Sequence, residues 1–307
     1  MPANSVPLGQ MYLQYQGLPC PTTSSTVSGC YADIDIDVSV ARGSDGSAKY
    51  KNPGDNYIGG IAGAVTLATT VDNCYSRGTI KSDNTRMYGV GGIVGQSRLS
   101  SHGADETIDN VIQRCWSDMT LRAKSDHMAA SDGFLGGIVG EVNGLGENSI
   151  PEISYCFALN AMIEGDLPED TDWVHAGRIV GNGDVFASNG KYNYALDTME
   201  IIGAVKATGD PDASGYRTGW GRDITAAEAL KETSYTDVMW NQGSAEPVWA
   251  FDGVNYPVFT WQTATLAGDD LLTVCFVRSG GSFQSDNIYS AGRRLEAGTG
   301  QYLRAEL

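Results

Sequence analysis

Positive charge is scarce in this chain of 307 residues: 20 Lys and Arg stand against 37 Asp and Glu, a formal net charge of −17. A surface that acidic has no basic patch to neutralise phosphates, which argues against nucleic-acid partners. An anionic membrane would repel it too. No run of 18 or more apolar residues occurs, so no membrane insertion by this segment is expected. Met1-Pro2-Ala3-Asn4-Ser5 lacks the basic and apolar regions of a secretory leader. Histidine is limited to His102, His127 and His175, each in a polar stretch without a nucleophile elbow, which leaves Ser- or Cys-based catalysis without a base. The six cysteines include no Cys-x2-Cys pair, so no metal site is expected. Gly89-Val90-Gly91 has Val94 where a dinucleotide fingerprint needs its third glycine, and no helix pattern follows. No cofactor is expected.

What is present is repetition. Gly59-Gly60-Ile61-Ala62-Gly63 recurs as Gly91-Gly92-Ile93-Val94-Gly95, as Gly136-Gly137-Ile138-Val139-Gly140 and, in worn form, as Gly177-Arg178-Ile179-Val180-Gly181. Alternating with it is a Cys-aromatic-small triplet at Cys30-Tyr31-Ala32, Cys74-Tyr75-Ser76, Cys115-Trp116-Ser117 and Cys156-Phe157-Ala158, with Asn193-Tyr194-Ala195 as a fifth copy lacking the thiol. The triplets advance by 44, 41, 41 and 37 residues, a period typical of stacked repeat units.

Around each signature the pattern has a period of two, with β-branched and aromatic residues. After Cys30, Ala32, Ile34, Ile36 and Val38 form an apolar face, and Tyr31, Asp33, Asp35 and Asp37 a polar one. After Cys115 the same alternation sends Ser117, Met119 and Leu121 inward. The fourth copy departs: Phe157, Leu159, Ala161 and Ile163 are apolar on the parity that is polar elsewhere, so a further segment, the C-terminal chain, is expected to cover that face. A two-strand unit that cannot bury its own apolar face must stack on copies of itself. The expectation is an all-β, right-handed parallel β-solenoid of four to five coils spanning residues 1–221. Thr225-Ala226-Ala227-Glu228 reads as a capping box opening a short helix to about Glu232. An aromatic-rich segment follows, so 222–262 reads as a cap shielding the end of the stack. Residues 263–307 read as a small β-rich segment.

The alternation of Gly-Gly-Ile-Val-Gly with Asn-Cys-Tyr-Ser-x-Gly-x-Ile, clearest at Gly91–Gly95 and Asn73–Ile80, resembles the GLUG motif of bacterial surface proteins, including adhesins and the noncatalytic parts of IgA-type peptidases. Residues from about Cys30 to Ile202 fit it. Trp249, Tyr256-Pro257-Val258-Phe259 and Trp261 are similar to the segment that closes such arrays. Arg178 and Asn193 depart from the pattern and read as erosion of terminal repeats. Leu272-Thr273-Val274-Cys275-Phe276-Val277-Arg278-Ser279-Gly280-Gly281 resembles the opening strand and turn of the Listeria–Bacteroides repeat, a small β-rich spacer, but the usual Gly-Tyr-x-Phe-x-Gly-Trp ending is missing. These resemblances imply an extracellular or cell-surface location, membership of a larger surface protein, a host glycan or extracellular protein as partner, and no enzyme activity.

Three outward aromatics, Tyr31, Tyr75 and Trp116, are the candidate ligand-binding residues, because stacked rings suit sugars or a partner's apolar patch. A covering loop or the C-terminal segment is the alternative. The ladder cysteines read as buried, reduced and space-filling, ahead of disulfides between neighbouring coils or metal binding. Cys20 and Cys275 are open to pairing or staying free. The functional expectation is a noncatalytic adhesin or ligand-binding module. Its alternatives are a glycan-cleaving enzyme using Asp33, Asp35 and Asp37, which point one way along a strand, and a structural stalk. A solvated role for those carboxylates, or calcium binding, competes with catalysis. The acidic stretch Glu164, Asp166, Glu169, Asp170 and Asp172 has the same ambiguity.

Overall fold

In the computed structural model, residues 25–39, 56–66, 68–83, 87–98, 110–124, 133–143, 151–166, 174–182, 192–203, 205–206, 220–236, 240–241, 247–263, 295–297 and 300–302 are described. Cys20, His102, His127, Glu169, Asp170, Asp172, Cys275 and the 272–281 segment lie outside them.

The first repeat supplies β1 (Ser25–Ser28), β2 (Tyr31–Ser39), β3 (Asn56–Gly59) and β4 (Ala62–Thr66). The second supplies β5 (Thr69–Asp72), β6 (Tyr75–Asp83), β7 (Met87–Gly91) and β8 (Val94–Arg98). In the third, the long strand is split: β9 (Val111–Gln113), β10 (Trp116–Ser117), β11 (Thr120–Lys124), β12 (Gly133–Gly136) and β13 (Val139–Asn143). The fourth gives β14 (Glu152–Ser154), β15 (Phe157–Ala158), β16 (Met162–Asp166) and β17 (Val174–Gly177); the fifth gives β18 (Tyr194–Leu196), β19 (Glu200–Ile202) and β20 (Val205–Lys206). Next come β21 (Arg222–Ile224), α1 (Glu232–Thr236), β22 (Trp249–Ala250) and β23 (Val258–Phe259). Contacts divide the chain into residues 1–259 and 260–307; the second unit holds α2 (Thr260–Thr263) and an antiparallel pair, β24 (Leu295–Ala297) with β25 (Gly300–Tyr302).

The architecture is all-β, with mostly parallel strands in curled sheets. Successive repeats feed the same sheets in order: β1-β5-β9-β14, β3-β7-β12-β17-β20 and β4-β8-β13. The fourth sheet is wider because β2 and β6 span two ladders, one continuing through β10, β15, β18 and β21, the other through β11, β16 and β19. Equivalent residues fall in register, giving apolar rows such as Val27, Val71, Ile112 and Ile153, and Ile36, Ile80, Leu121, Ile163 and Ile201. The sequence alternation puts these rows on one side of every strand, so each repeat buries the side chains of its neighbour.

Every repeat enters the long strand through a left-handed residue just before the Cys position: Gly29 (φ 66°), Asn73 (50°), Arg114 (49°), Tyr155 (58°) and Tyr192 (54°). Non-glycine residues adopt this conformation at a cost, so its recurrence marks an obligatory corner. Arg114 is held there by a bidentate pair with Asp72 at 2.8 and 2.6 Å. The Gly-Gly pairs serve close approach and not a positive φ. A Cβ on Gly91 would meet Val94 O of its own repeat, with Gly140 N at 2.6 Å and Ile138 O at 2.8 Å in the next. One on Gly92 would meet Gly137 O and Ser117 Oγ.

Arg178 and Asn193 are closures of the stack, which corrects the reading of them as erosion. Arg178 occupies the second Gly slot of the fourth Gly-Gly-type unit, and it is 6% exposed. Its guanidinium donates to Trp220 O (3.1 Å) and Gly221 O (3.0 Å), lies 2.7 Å from Asp223 Oδ1, and sits over the Trp220 ring. Asn193 stands in the Cys slot; its Nδ2 donates to Ile153 O at 2.8 Å, as the thiols of Cys74, Cys115 and Cys156 donate to Val27 O, Val71 O and Ile112 O. Its Oδ1 accepts from Cys156 N at 3.0 Å. Asn182 imitates a strand, its side-chain amide pairing with both the N–H and the C=O of Val142. Restoring the repeat residue with Arg178→Gly is therefore expected to destabilise the chain by about 1–3 kcal/mol, since two carbonyls lose their donor. A lowered urea midpoint measures this; an unchanged one would return Arg178 to mere erosion.

One register detail also overturns a sequence expectation. The fourth repeat carries an extra residue between β15 and β16, because Phe157 pairs with Trp116 whereas Ile163 pairs with Leu121. The insertion reverses the parity, and Ile163 is a fully buried core residue instead of an outward one.

Candidate functional site

The outward parity of the long strands builds a column of rings. Tyr31, Tyr75, Trp116, Phe157 and Tyr194 are register partners in succession. Tyr75 stacks on Trp116 at 4.6 Å with planes 3° apart, Tyr31 on Tyr75 at 5.3 Å, and Phe157 on Tyr194 at 4.9 Å. These are offset-stack distances, which parallel in-register strands impose on neighbouring rings.

The chain covers most of this column itself. Past β21, which pairs with β18, the Thr225–Glu228 box forms as the sequence implies, with Glu228 N donating to Thr225 Oγ1 (3.2 Å) and Thr225 N to Glu228 Oε2 (3.1 Å). It closes a turn, however, and the helix begins only at Glu232. From there the aromatic segment runs back along the column. Tyr235 lies 4.3 Å and Trp240 5.5 Å from Phe157, and Trp249 and Phe259 lie 6.0 and 5.4 Å from Tyr75. Each indole N–H finds an acceptor: Trp116 to Pro257 O (3.0 Å), Trp240 to Tyr155 O (2.9 Å), and Trp249 to Asn73 Oδ1 (2.8 Å), the last joining positions 176 residues apart. Burial pushes the Tyr235 hydroxyl well above its usual range, and it donates to Ala229 O at 2.6 Å.

Two expectations are corrected here. The segment after Arg222 is a strap along the side of the stack, not only a shield over its end. Its cover over Phe157 is as anticipated. Of the three aromatics expected to form an open face, Tyr75 is 3% and Trp116 0% exposed, and only Tyr31, on the first repeat, stays open at 41%. The four Trp between Trp220 and Trp261 were the sequence signal for the strap; its docking onto Asn73 had none.

Beside the column, charges form cross-strand ladders. Asp33, Arg77 and Asp118 share one row, and Asp37, Lys81, Arg122 and Glu164 another. Lys81 lies 3.5 Å from Asp37, Arg77 3.4 Å from Asp118, and Arg122 2.5 Å from Glu164. Burial raises the Asp118 carboxyl against the pull of Arg77. Asp33, Asp35 and Asp37 themselves are exposed on β2. The four ladder thiols within the described residues are unpaired, Cys30 exposed and the rest buried, and burial pushes Cys115 well up. His175 stacks on Phe134 at 5.5 Å. At the far end of the column, a cleft of about 210 Å³ opens beside Tyr194, Arg222 and Glu228, with Glu228 already engaged in its turn. Among the described residues no group of three or more His, Cys, Asp and Glu could hold a metal ion, and no helix is long and apolar enough to cross a membrane.

No family model matches the chain, and no curated protein matches it. A crystallised Bacteroides ovatus protein, provisionally described as an immunoglobulin A1 protease, is similar at 21% identity and a TM-score of 0.41, over 78% of this chain and 74% of that one.

Proposed function

We propose that the chain is a noncatalytic, ligand-binding module of a bacterial surface protein, built as a right-handed parallel β-solenoid of about five GLUG-type coils and displayed outside the cell. The observation that carries this reading is the residue-by-residue register of successive repeats, which supports a stiff acidic scaffold on which side chains are displayed at fixed spacing. Tyr75 and Trp116 contribute to stability under the strap, so ligand contact falls to the first coil, at Tyr31 with Asp33, Asp35 and Asp37. A host glycan or extracellular protein is the partner class. The salt bridge from Lys81 to Asp37 favours a structural role for that carboxylate over glycan cleavage. A second reading, a stalk that spaces other domains, is favoured by the burial of Tyr75 and Trp116.

A glycan and matrix-protein array on the purified chain, with released sugar monitored in the same wells, tests this. Binding weakened on the order of tenfold by Tyr31→Ala, without sugar release, is the expected result. Released sugar would sink the noncatalytic reading, and silence across the array would leave the stalk.

A further inference from the structure

The two ends of the repeat stack are chemically unlike. At the far end, Arg178, Asn182 and Asn193 replace repeat residues and occupy backbone groups of the last repeats. The first repeat keeps interior-type residues throughout: Cys30, Tyr31 and the pair Gly59-Gly60. Several of its positions are less buried than their counterparts in the next repeats, although Ile36, at 5%, is more buried than Ile201 at the far end of its row. Val27 and Ile61 are only partly buried, whereas Val71, Ile112, Ile153, Ile93, Ile138 and Ile179 are all at 0%. Ile34 and Val38 are likewise partly buried, and Cys30 is exposed where Cys74, Cys115 and Cys156 are at 0%. Among the described residues β2 is paired on one edge alone, to β6. Parallel pairing engages the N–H and C=O of alternate residues, so the other half face the opposite edge.

The sheet's own charge pattern says what would complete that edge. Asp33 and Asp37 are met on the β6 side by Arg77 and Lys81, four residues apart, while Tyr31 is met by Tyr75 and Ile36 by Ile80. On the open side the same row of exposed carboxylates, on a chain of net charge −17, calls for the same complement. We infer that the β2 edge is a docking site for an extended basic strand of another protein, which adds in parallel with Lys or Arg opposite Asp33 and Asp37 and an aliphatic residue opposite Ile36. This rests on the reading of the chain as a binding module and replaces an unspecified ligand with a polypeptide. A second copy of this chain fits poorly, because its own edge presents the same carboxylates.

A synthetic peptide with the sequence of residues 75–83, Tyr-Ser-Arg-Gly-Thr-Ile-Lys-Ser-Asp, is the probe, titrated into the intact chain by calorimetry with backbone hydrogen exchange followed in parallel. The peptide is expected to bind and to slow exchange at amides within Tyr31–Ser39. The peptide carrying Arg77→Asp and Lys81→Asp should bind roughly tenfold more weakly, since two favourable cross-strand pairs become repulsive. Backbone N-methylation of the peptide should abolish binding. Equal affinity for the charge-reversed peptide, or binding that leaves Tyr31–Ser39 exchange unchanged, would overturn the inference. So would a β2 outer edge already protected in the chain alone, whether by its own residues or by self-association. Glycan binding that is lost with Tyr31→Ala, combined with no peptide binding, would remove this inference and leave the binding-module reading standing; failure of both assays would remove both.

Discussion

Trp116→Ala is expected to destabilise the chain by about 3–5 kcal/mol, the range for removing a large aromatic from a packed core. Trp116 is at 0% exposure, stacks on Tyr75, meets Tyr256 edge-on at 5.5 Å, and its indole N–H donates to Pro257 O. The side chain therefore joins the column to the strap, and its loss should release the strap before the stack unfolds. Urea unfolding followed by tryptophan fluorescence should show an early transition from Trp240 and Trp249, with the far-ultraviolet signal of the strands changing later. Trp116→Phe, which keeps a ring in the stack and loses the hydrogen bond, should cost about 1–2 kcal/mol. Tyr31→Ala, on the open end of the same column, should cost less than either. Comparable losses at Tyr31 and Trp116 would show that the strap contributes nothing to the column's stability.

The second large effect is expected at Gly91. A methyl group there meets the backbone of two repeats at once, with no flexible side chain able to move aside. Overpacking of a core typically costs about 1–3 kcal/mol; Gly91→Ala should reach or exceed the top of that range because the obstructing atoms belong to paired strands. Gly29→Ala is the control. Gly29 has a left-handed φ of 66° but open space around it, so only the conformational cost of about 1–2 kcal/mol applies. Thermal and urea midpoints for the two variants separate steric contact from backbone strain. Equal effects would mean that close approach of repeats is not what the Gly-Gly pairs serve.

Much of the scaffold was legible because its signals are local and repeated. The alternation after Cys30 and Cys115 assigned Ile36, Met119 and Leu121 to the interior, and the recurrence of Cys-aromatic triplets placed Tyr31, Tyr75, Trp116, Phe157 and Tyr194 in one row. Parallel pairing turns such recurrence directly into register, since equivalent residues of successive repeats must sit side by side. The buried thiols of Cys74, Cys115 and Cys156 followed from the same logic, whereas Cys30, expected to be buried with them, is exposed because no earlier repeat covers it among the described residues. Alternation failed where the count changed: one residue inserted between Ala158 and Met162 reversed the parity and took Ile163 inward, and no composition rule detects a single inserted residue.

The candidate site was less legible, because accessibility depends on what lies over a face and not on which way a strand points it. Tyr75 and Trp116 point outward from their strands as the alternation requires, yet both are buried by residues more than a hundred positions later, through contacts such as Trp249 with Asn73. Arg178 and Asn193 looked like decay against a repeat consensus, although they occupy the slots where the next repeat would otherwise supply backbone partners. The sequence by itself determined the all-β character, the parallel rows and the acidic outward face of the first repeat, all consequences of nearest-neighbour periodicity. Only the tertiary structure decided which of those rows stay open to a partner, since covering an apolar column releases its water whatever the sequence distance of the segment that does so.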